Sequence, residues 1–219
     1  MTVTTEPFPV RVEATLDPTL SRWKWLVKWF LAIPHFVVLI VLGIAFVVLT
    51  VVAFFAILLT GRYPRALFDF NVGVMRWGWR VGYYVAIGTD RYPPFTLAEV
   101  PDYPANLQVA YPGRLSRGLV LVKWWLLAFP HLLVLSIFLG TTYYAGREGD
   151  EGGRISVPGL LDVLVLIALV ALLFTKRYPV GIFDFVLGIE RWSLRVGAYV
   201  ALMTDRYPPF RLDQGGREP

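Results

Sequence analysis

Two histidines are the side chains of this chain best suited to proton transfer, and they occupy equivalent positions. His35 follows Pro34 and His131 follows Pro130, each inside an apolar run. A proline within a helix frees a carbonyl one turn earlier, and a nearby histidine can donate to it. This structural role is the first expectation. The alternative is a functional role, as a proton carrier or as paired metal ligands, because ionisable groups inside a membrane are rare and often serve a function.

A second set of polar residues recurs in both halves of the chain. In each half, one aspartate and two arginines fall within about 60° of one another at the roughly 100° per residue of a helix, so they form one polar stripe. Such a stripe suits ion pairs or the phosphates of anionic lipid headgroups, and a solvated helix face is the simpler alternative. The residues are Asp69, Arg76 and Arg80 in the first half, and Asp184, Arg191 and Arg195 in the second.

No pattern typical of a catalytic centre is present. The chain has no cysteine, no Gly-rich phosphate loop ending in Lys-Ser/Thr, no His-Glu-x-x-His and no Gly-x-Ser-x-Gly. We therefore predict a protein that is not an enzyme and that holds no metal and no cofactor.

The composition indicates an integral membrane protein. Of the 219 residues, 56% are apolar and 17% are charged, whereas soluble domains have about a half and a quarter. The net charge of +5 does not indicate a nucleic-acid partner, because the basic residues flank apolar segments instead of forming a solvated basic face.

The chain consists of two tandem copies of one unit. Residues 60–97 and 175–212 are identical at 24 of 38 positions without a gap. Motifs before this block recur at offsets of 95 and 96 residues and motifs within it at 115, so the second copy contains 19 additional residues. We place the first membrane repeat at 8–97 and the second at 103–212, with the polar insertion near 141–158.

Each copy is predicted to form a transmembrane helical hairpin. The first apolar run, from Trp25 to Thr60, is nearly twice the roughly 20 residues that cross a bilayer. The insertion corresponds to a point near Gly43, and a charged loop is not tolerated at the centre of a lipid-exposed helix. A turn at that point follows. The predicted arms are Trp25–Leu42 and Ile44–Leu59 in the first repeat, and Leu119–Tyr144 and Leu160–Phe174 in the second.

The distribution of basic residues orients these hairpins. Of 21 Lys and Arg, only Arg147 and Arg154 lie in the predicted outer loops. The positive-inside rule then places both termini in the cytoplasm of a multi-pass plasma-membrane protein. Tryptophans at the helix starts form an aromatic belt, and Lys24, Lys28 and Lys123 extend beside them to the interface. Because a hairpin crosses twice, a twofold axis along the membrane normal is expected to relate the repeats.

An amphipathic helix is predicted after each hairpin, over residues 67–87 and 182–202, at the cytoplasmic interface; a third spanning helix is the alternative. Each copy then closes with the motif Thr-Asp-Arg-Tyr-Pro-Pro-Phe, whose prolines end the preceding helix. Phe95–Leu97 can pair with a strand around Val10–Leu16 to give a small sheet per repeat. The predicted fold class is all-α integral membrane, with two tandem repeats, each a transmembrane hairpin plus a cytoplasmic interfacial amphipathic helix and a short extended element.

The repeated motifs carry a resemblance to a known family. In order they are Leu-Ser-Arg, Pro-His, Gly-Arg-Tyr-Pro, Phe-Asp-Phe, Arg-Trp and Thr-Asp-Arg-Tyr-Pro-Pro-Phe. Together they resemble the bacterial membrane family known as domain of unknown function 4389, over residues 8–97 and again 103–212. The resemblance implies a bacterial membrane protein, and the family has no established activity to transfer.

Two functions from different classes remain at this point. The first is a non-enzymatic scaffold or accessory subunit that contacts anionic membrane lipids and a second membrane protein. The alternative is a small transporter or channel with a path between the two repeats, which would use His35 and His131 together with Asp69 and Asp184.

Overall fold

Each repeat begins with a short strand, which is followed by a long apolar helical segment and then by an amphipathic helix. The computed structural model describes residues 8–18, 20–21, 23–86, 88–145 and 153–213. In chain order the elements are β1 (Val10–Ala14), α1 (Lys24–Thr60), α2 (Arg65–Ala86), β2 (Ala105–Val109), α3 (Leu119–Val122), a π-helical turn (Lys123–Leu127), α4 (Phe129–Leu139), β3 (Thr141–Ala145), β4 (Gly153–Val157), α5 (Leu160–Thr175) and α6 (Val180–Val200).

The first apolar run is one continuous helix, so the predicted hairpin is wrong. Helix α1 has 37 residues and is therefore about 55 Å long. Gly43, where the turn was predicted, is helical and has no neighbouring atom within 4 Å of a Cβ placed on it. A glycine costs a helix only about 1 kcal/mol, which the packing on either side of it outweighs. The helix ends at Gly61, whose φ is 70° and whose N–H donates to the Ile57 carbonyl.

Helix α1 buries only one narrow stripe of its surface. The buried residues of α1, among those whose burial the structure describes, are Lys28, Ala32, His35, Ala53 and Ile57, and their spacing places them on one face. Of its most apolar 18-residue stretch, 6% is buried. Two helical segments, 26–60 and 119–139, are long and apolar enough to cross a membrane.

The corresponding helix of the second repeat is interrupted at its midpoint by a β-hairpin. Strands β3 and β4 pair antiparallel, from Thr141 with Val157 to Ala145 with Gly153. A Cβ placed on Gly159 would lie 2.4 Å from the Gly140 nitrogen, so the chain leaves and re-enters the helical path at one point. Residues 146–152 of the predicted insertion lie outside the described residues.

Helix α5 does not fold back along α4, so the hairpin is wrong in the second repeat as well. Helix α6 is antiparallel to the segment before it, because Lys123 lies 5.6 Å from the Tyr199 ring and Phe138 lies 6.3 Å from Phe185. A folded-back α5 would end beside Tyr199, about 30 Å from the start of α6. The four residues between α5 and α6 reach at most about 17 Å.

Helices α2 and α6 form a middle layer and do not lie free at an interface, as was predicted for 67–87 and 182–202. The apolar face of α2, with Trp77, Val81 and Tyr84, packs with Ala32 of α1. The predicted apolar surface is therefore present, but protein covers it. A contact between α2 and α6, at 6.4 Å from Tyr83 to Phe183, continues this layer across the two repeats.

The strands β1 and β2 form one sheet that the two repeats share. They pair antiparallel, with Val12 opposite Leu107 at the centre. At the offset of 95 residues these two are equivalent, so a local twofold axis passes through this pair. The predicted sheet within each repeat is wrong, because β1 pairs with β2 of the other repeat. Phe95 instead stacks on His35 at 3.9 Å, and Leu97 packs against Gly73 of α2.

This twofold axis is perpendicular to the long helices. Just before α3, the Leu115 N–H donates to the Gly61 carbonyl at the end of α1 over 2.9 Å. Just before α1, Leu20 lines a small cavity with Leu172 and Tyr178, at the end of α5. The start of each long helix thus lies at the end of the other, and the two run antiparallel. The molecule has three layers: the long helices, then α2 with α6, then the sheet.

Replacing Gly43 tests whether α1 is continuous. Gly43→Ala should raise the free energy of unfolding by about 0.5–1 kcal/mol, because alanine favours a helix and meets no atom there. Gly43→Pro should lower it by about 3 kcal/mol or more, because proline removes a helical hydrogen bond. Thermal unfolding of the detergent-solubilised variants measures both. Equal tolerance of proline and alanine would instead indicate a turn at this position.

Candidate functional site

The repeated segment Thr-Asp-Arg-Tyr-Pro-Pro-Phe, the closing segment, lies against the start of the long helix in each repeat. In the first repeat, the Lys28 Nζ is 2.9 Å from Asp90 Oδ1 and donates to the Thr89 carbonyl over 2.7 Å. The Ser21 N–H donates to Asp90 Oδ2 over 2.7 Å. A buried ammonium group is tolerated here because a carboxylate and a carbonyl replace its water.

The second repeat builds the same anchor from equivalent residues. The Lys123 Nζ is 2.8 Å from Asp205 Oδ1 and donates to the Thr204 carbonyl over 3.1 Å. The Ser116 N–H donates to Asp205 Oδ2 over 2.5 Å. Lys123 is fully buried. The prediction that Lys28 and Lys123 extend to a membrane interface is therefore wrong, because each amine turns inwards to its aspartate.

Each histidine is enclosed by aromatic rings of its own repeat. In the first repeat, the Trp77 Nε1–H donates to His35 Nδ1 over 3.1 Å. The Phe95 ring stacks on the imidazole at 3.9 Å, and the Tyr92 ring lies at 4.9 Å. The partners of His131 are equivalent: Trp192 at 3.2 Å, with the rings of Phe210 at 4.1 Å and Tyr207 at 4.8 Å.

This geometry selects one form of the imidazole. Because Nδ1 accepts a hydrogen bond, the neutral ring carries its proton on Nε2. The Nε2 atoms of His35 and His131 are buried, and neither has a hydrogen-bond partner among the described residues. The predicted bond from histidine to a carbonyl freed by proline is replaced by a bond from tryptophan. The closing segment thus attaches to each long helix through an ion pair and an aromatic stack.

The two histidines are not brought together. Each contacts residues of its own repeat, and neither lines the small cavity near Leu20 or the groove beside Lys24, Asp90 and Tyr92. Within the part of the chain that the structure describes, no group of three or more His, Asp or Glu is placed to hold a metal ion.

The arginine stripe divides into two pairs with different roles. Arg80 donates to the carbonyls of Thr96 and Ala98, the latter over 3.3 Å. Arg195 donates to the carbonyls of Arg211 and Asp213 over 3.2 and 2.5 Å. Both side chains are 1% exposed, and burial lowers the pKa of both guanidinium groups. These arginines hold the residues that follow each closing segment.

The other pair of arginines holds the shared sheet. The Arg76 Nε–H donates to the Leu107 carbonyl and the Arg191 Nε–H to the Val12 carbonyl, each over 3.0 Å. These carbonyls belong to the central pair of the sheet, on the twofold axis. Arg76 also forms an ion pair with Glu99 at 2.8 Å. The sheet is thus bound to the middle layer from both repeats.

Within the described part of the chain, the two aspartates of the stripe make no hydrogen bond or ion pair with these arginines, although the charge of Asp184 acts on Arg191. Asp69 is exposed and pairs with Arg65, one helical turn earlier, at 3.0 Å. Asp184 is exposed on the first turn and a half of α6. Asp69 therefore does not join the arginines of its stripe, whereas Asp184 still interacts with Arg191 through its charge. Both aspartates are exposed, as in the simpler alternative of a solvated helix face.

Sequence reasoning missed Glu190, which stands where the first repeat has Met75. Its carboxyl is partly buried in the middle layer, and this desolvation raises its pKa to about 7. No described residue offers it a hydrogen bond or an ion pair. The signal available in the sequence was the replacement of an apolar residue by an acid at an equivalent position.

Breaking the anchor should cost much more than breaking an exposed ion pair. Asp90→Asn leaves the Lys28 ammonium without its carboxylate and should lower the free energy of unfolding by about 3–5 kcal/mol. The double variant with Lys28→Met should recover part of that loss, because no charge then remains buried. Asp69→Asn, in an exposed pair, should cost about 1 kcal/mol or less. If thermal unfolding showed the same loss of stability for Asp90→Asn and Asp69→Asn, the buried anchor would be contradicted.

Glu190 should make stability depend on pH. Since its pKa is raised from 4.5 to about 7 in the folded protein, the folded state binds its proton more tightly than the unfolded state. Stability is then fully present below the unfolded pKa and is lost as pH rises through about 7, by up to about 3 kcal/mol. Glu190→Met, which copies the first repeat, should remove this loss between pH 5 and 8. An unchanged pH profile in that variant would refute the assignment.

The comparisons with known proteins identify a family but no activity. The model of a family described as domain of unknown function (DUF4389) matches residues 22–96 and 157–211, which is more than half of the chain, in two segments consistent with two tandem copies. No curated protein and no solved structure matches. Both matched segments contain the Arg-Tyr-Pro motif, the Arg-Trp pair and the closing segment that build the two sites. The chain is therefore a member of the domain of unknown function 4389 family.

Proposed function

We propose that the chain is a membrane-embedded, non-enzymatic protein that acts as a scaffold or accessory subunit, contacts anionic lipids and binds a second membrane protein. The observation that carries this proposal is the exposed apolar surface of α1. Phe30, Ile44 and Leu59 are 72%, 63% and 74% exposed, and most of their apolar neighbours along α1 are also uncovered. A surface of that extent is not stable in water and requires lipid or protein to cover it.

The use of the buried polar groups supports a structural role. Lys28 and Lys123 bond to the closing segments, Arg80 and Arg195 to backbone carbonyls, and each histidine to a tryptophan. A transport path or a catalytic centre needs polar groups that are accessible to a substrate. The most deeply buried groups here are bonded within the protein, so we favour the scaffold over the transporter.

Anionic lipid contact is assigned to the ends of the long helices. Arg62, Arg114 and Arg117 are exposed around the end of α1, where Arg117 approaches Gly61. At the twofold-related end, Lys176 and Arg177 are exposed. Basic residues that flank membrane segments are worth about 1 kcal/mol each at an anionic surface. By the positive-inside rule, both ends and both termini then face the cytoplasm at a bacterial plasma membrane.

Neutralising one basic end should reduce the enrichment of anionic lipid around the protein. In reconstituted vesicles, energy transfer from tryptophan to pyrene-labelled phosphatidylserine, relative to phosphatidylcholine, measures this enrichment. Arg62→Gln combined with Arg114→Gln and Arg117→Gln should lower it at least about fivefold, which is the factor that about 1 kcal/mol from a single arginine gives.

The matched control is Arg11→Gln, on the exposed side of β1, which should leave the enrichment unchanged. Equal enrichment in the triple variant and the unmodified protein would remove the lipid part of the proposal. The membrane part is tested separately: protein that is extracted from membranes by alkaline carbonate, without detergent, would contradict it.

A further inference from the structure

The proposed membrane location leaves open how the long helices meet the bilayer, and the fold restricts the answer. We infer that both long helices lie in the plane of the membrane, within a single leaflet, with the sheet facing water and the twofold axis along the membrane normal. This inference rests on the proposed membrane function. It specifies the lipid surface as one leaflet, contacted along the whole length of both helices.

The first argument is the position of the shared sheet. The twofold axis passes through Val12 and Leu107 and is perpendicular to the antiparallel long helices, so the sheet lies at their mid-length. Arg11, Glu13 and Gln108 point outwards from it and are exposed. If the helices crossed the bilayer, the same symmetry would place this sheet at the midplane.

A sheet at the midplane of a bilayer is not tolerated. A charged side chain at that depth is unfavourable even on the most lenient insertion scale. Each edge of a two-stranded sheet also presents backbone groups that the other strand does not reach, and hydrocarbon offers such groups no hydrogen-bond partner. The hairpin β3–β4, at the midpoint of the second long helix, meets the same restriction. With the helices in plane, the sheet lies on the aqueous side of the middle layer.

The second argument is length. Helix α1, at about 55 Å, greatly exceeds the roughly 30 Å of the hydrocarbon core. An upright crossing would leave apolar turns in water, and burying them by tilt needs about 55°, outside the usual range of 0–40°. Lying in plane, a helix about 10–12 Å across fits within one leaflet of roughly 15 Å, and its length is unrestricted.

The third argument is charge. Arg62 and Arg177 are equivalent residues at the ends of the two long helices. In antiparallel crossing helices they would face opposite sides of the membrane, which conflicts with the positive-inside rule. In-plane helices place both on one side. An in-plane helix needs a polar side towards water. Here the middle layer, α2 with α6, and the sheet lie between the long helices and water and provide that side.

Depth measurements along α1 test the inference. The chain has no cysteine, so Phe30→Cys, Ile44→Cys and Leu59→Cys each give a single labelling site at an exposed apolar position. An environment-sensitive dye at each site is quenched by lipids that carry spin labels at known depths. We expect the three sites at one depth, within about 5 Å. A crossing helix would place Ile44→Cys near the midplane and the other two about 21 Å away, at opposite surfaces, and that result would overturn the inference.

Sidedness gives a second, independent readout. In sealed, oriented vesicles, a membrane-impermeant maleimide should label Arg62→Cys and Arg177→Cys from the same side; labelling from opposite sides would overturn the inference. The failure of the proposed function looks different. If no position were quenched by any spin-labelled lipid, the protein would not be embedded at all, and both proposals would fall together.

Discussion

The pairing of β1 with β2 at the twofold axis is the interaction on which the rest of the structure depends. It joins Val12 to its own equivalent, Leu107, and the carbonyls of that pair are held by Arg191 and Arg76 from opposite repeats. One strand lies at the start of the first repeat and the other at the start of the second, so their pairing joins the two repeats into a single body. The antiparallel arrangement of the long helices and the three layers all follow from it.

Within the folded protein, charged side chains bind the closing segments to the helices. Each closing segment has no regular structure, and its backbone groups need partners that a helix or strand would supply. Lysine and arginine side chains provide these donors, with the Lys28–Asp90 pair at one point and Arg80 at the next. The aromatic stack of Phe95 on His35 covers the apolar part of the same segment. Binding a loop in this way gives the buried cations a structural role.

The sequence predicted the repeats and their amphipathic helices well, but it did not predict which residues of the two repeats contact each other. The duplication, the amphipathic helices and the special status of the two histidines follow from periodicity and identity, which are local properties. That Arg76 bonds the Leu107 carbonyl, or that β1 pairs with β2, depends on contacts between repeats, and a pattern along the chain carries no information on those. Lys28 and Lys123 were misassigned for the same reason: a lysine beside tryptophans looks interfacial until its aspartate, some 60 to 80 residues later, folds onto it.

The continuity of α1 through Gly43 explains both why the predicted hairpin was wrong and why we infer an in-plane orientation. The hairpin was a way to reconcile an apolar run of double length with a bilayer of fixed thickness. An uninterrupted helix removes that solution, and only a change of orientation reconciles the length with the lipid. The polar insertion in the second repeat then needs no turn in the first. In a helix that crosses the bilayer, its midpoint is the least accessible place for polar residues, whereas in a helix that lies along the surface every turn is equally close to water.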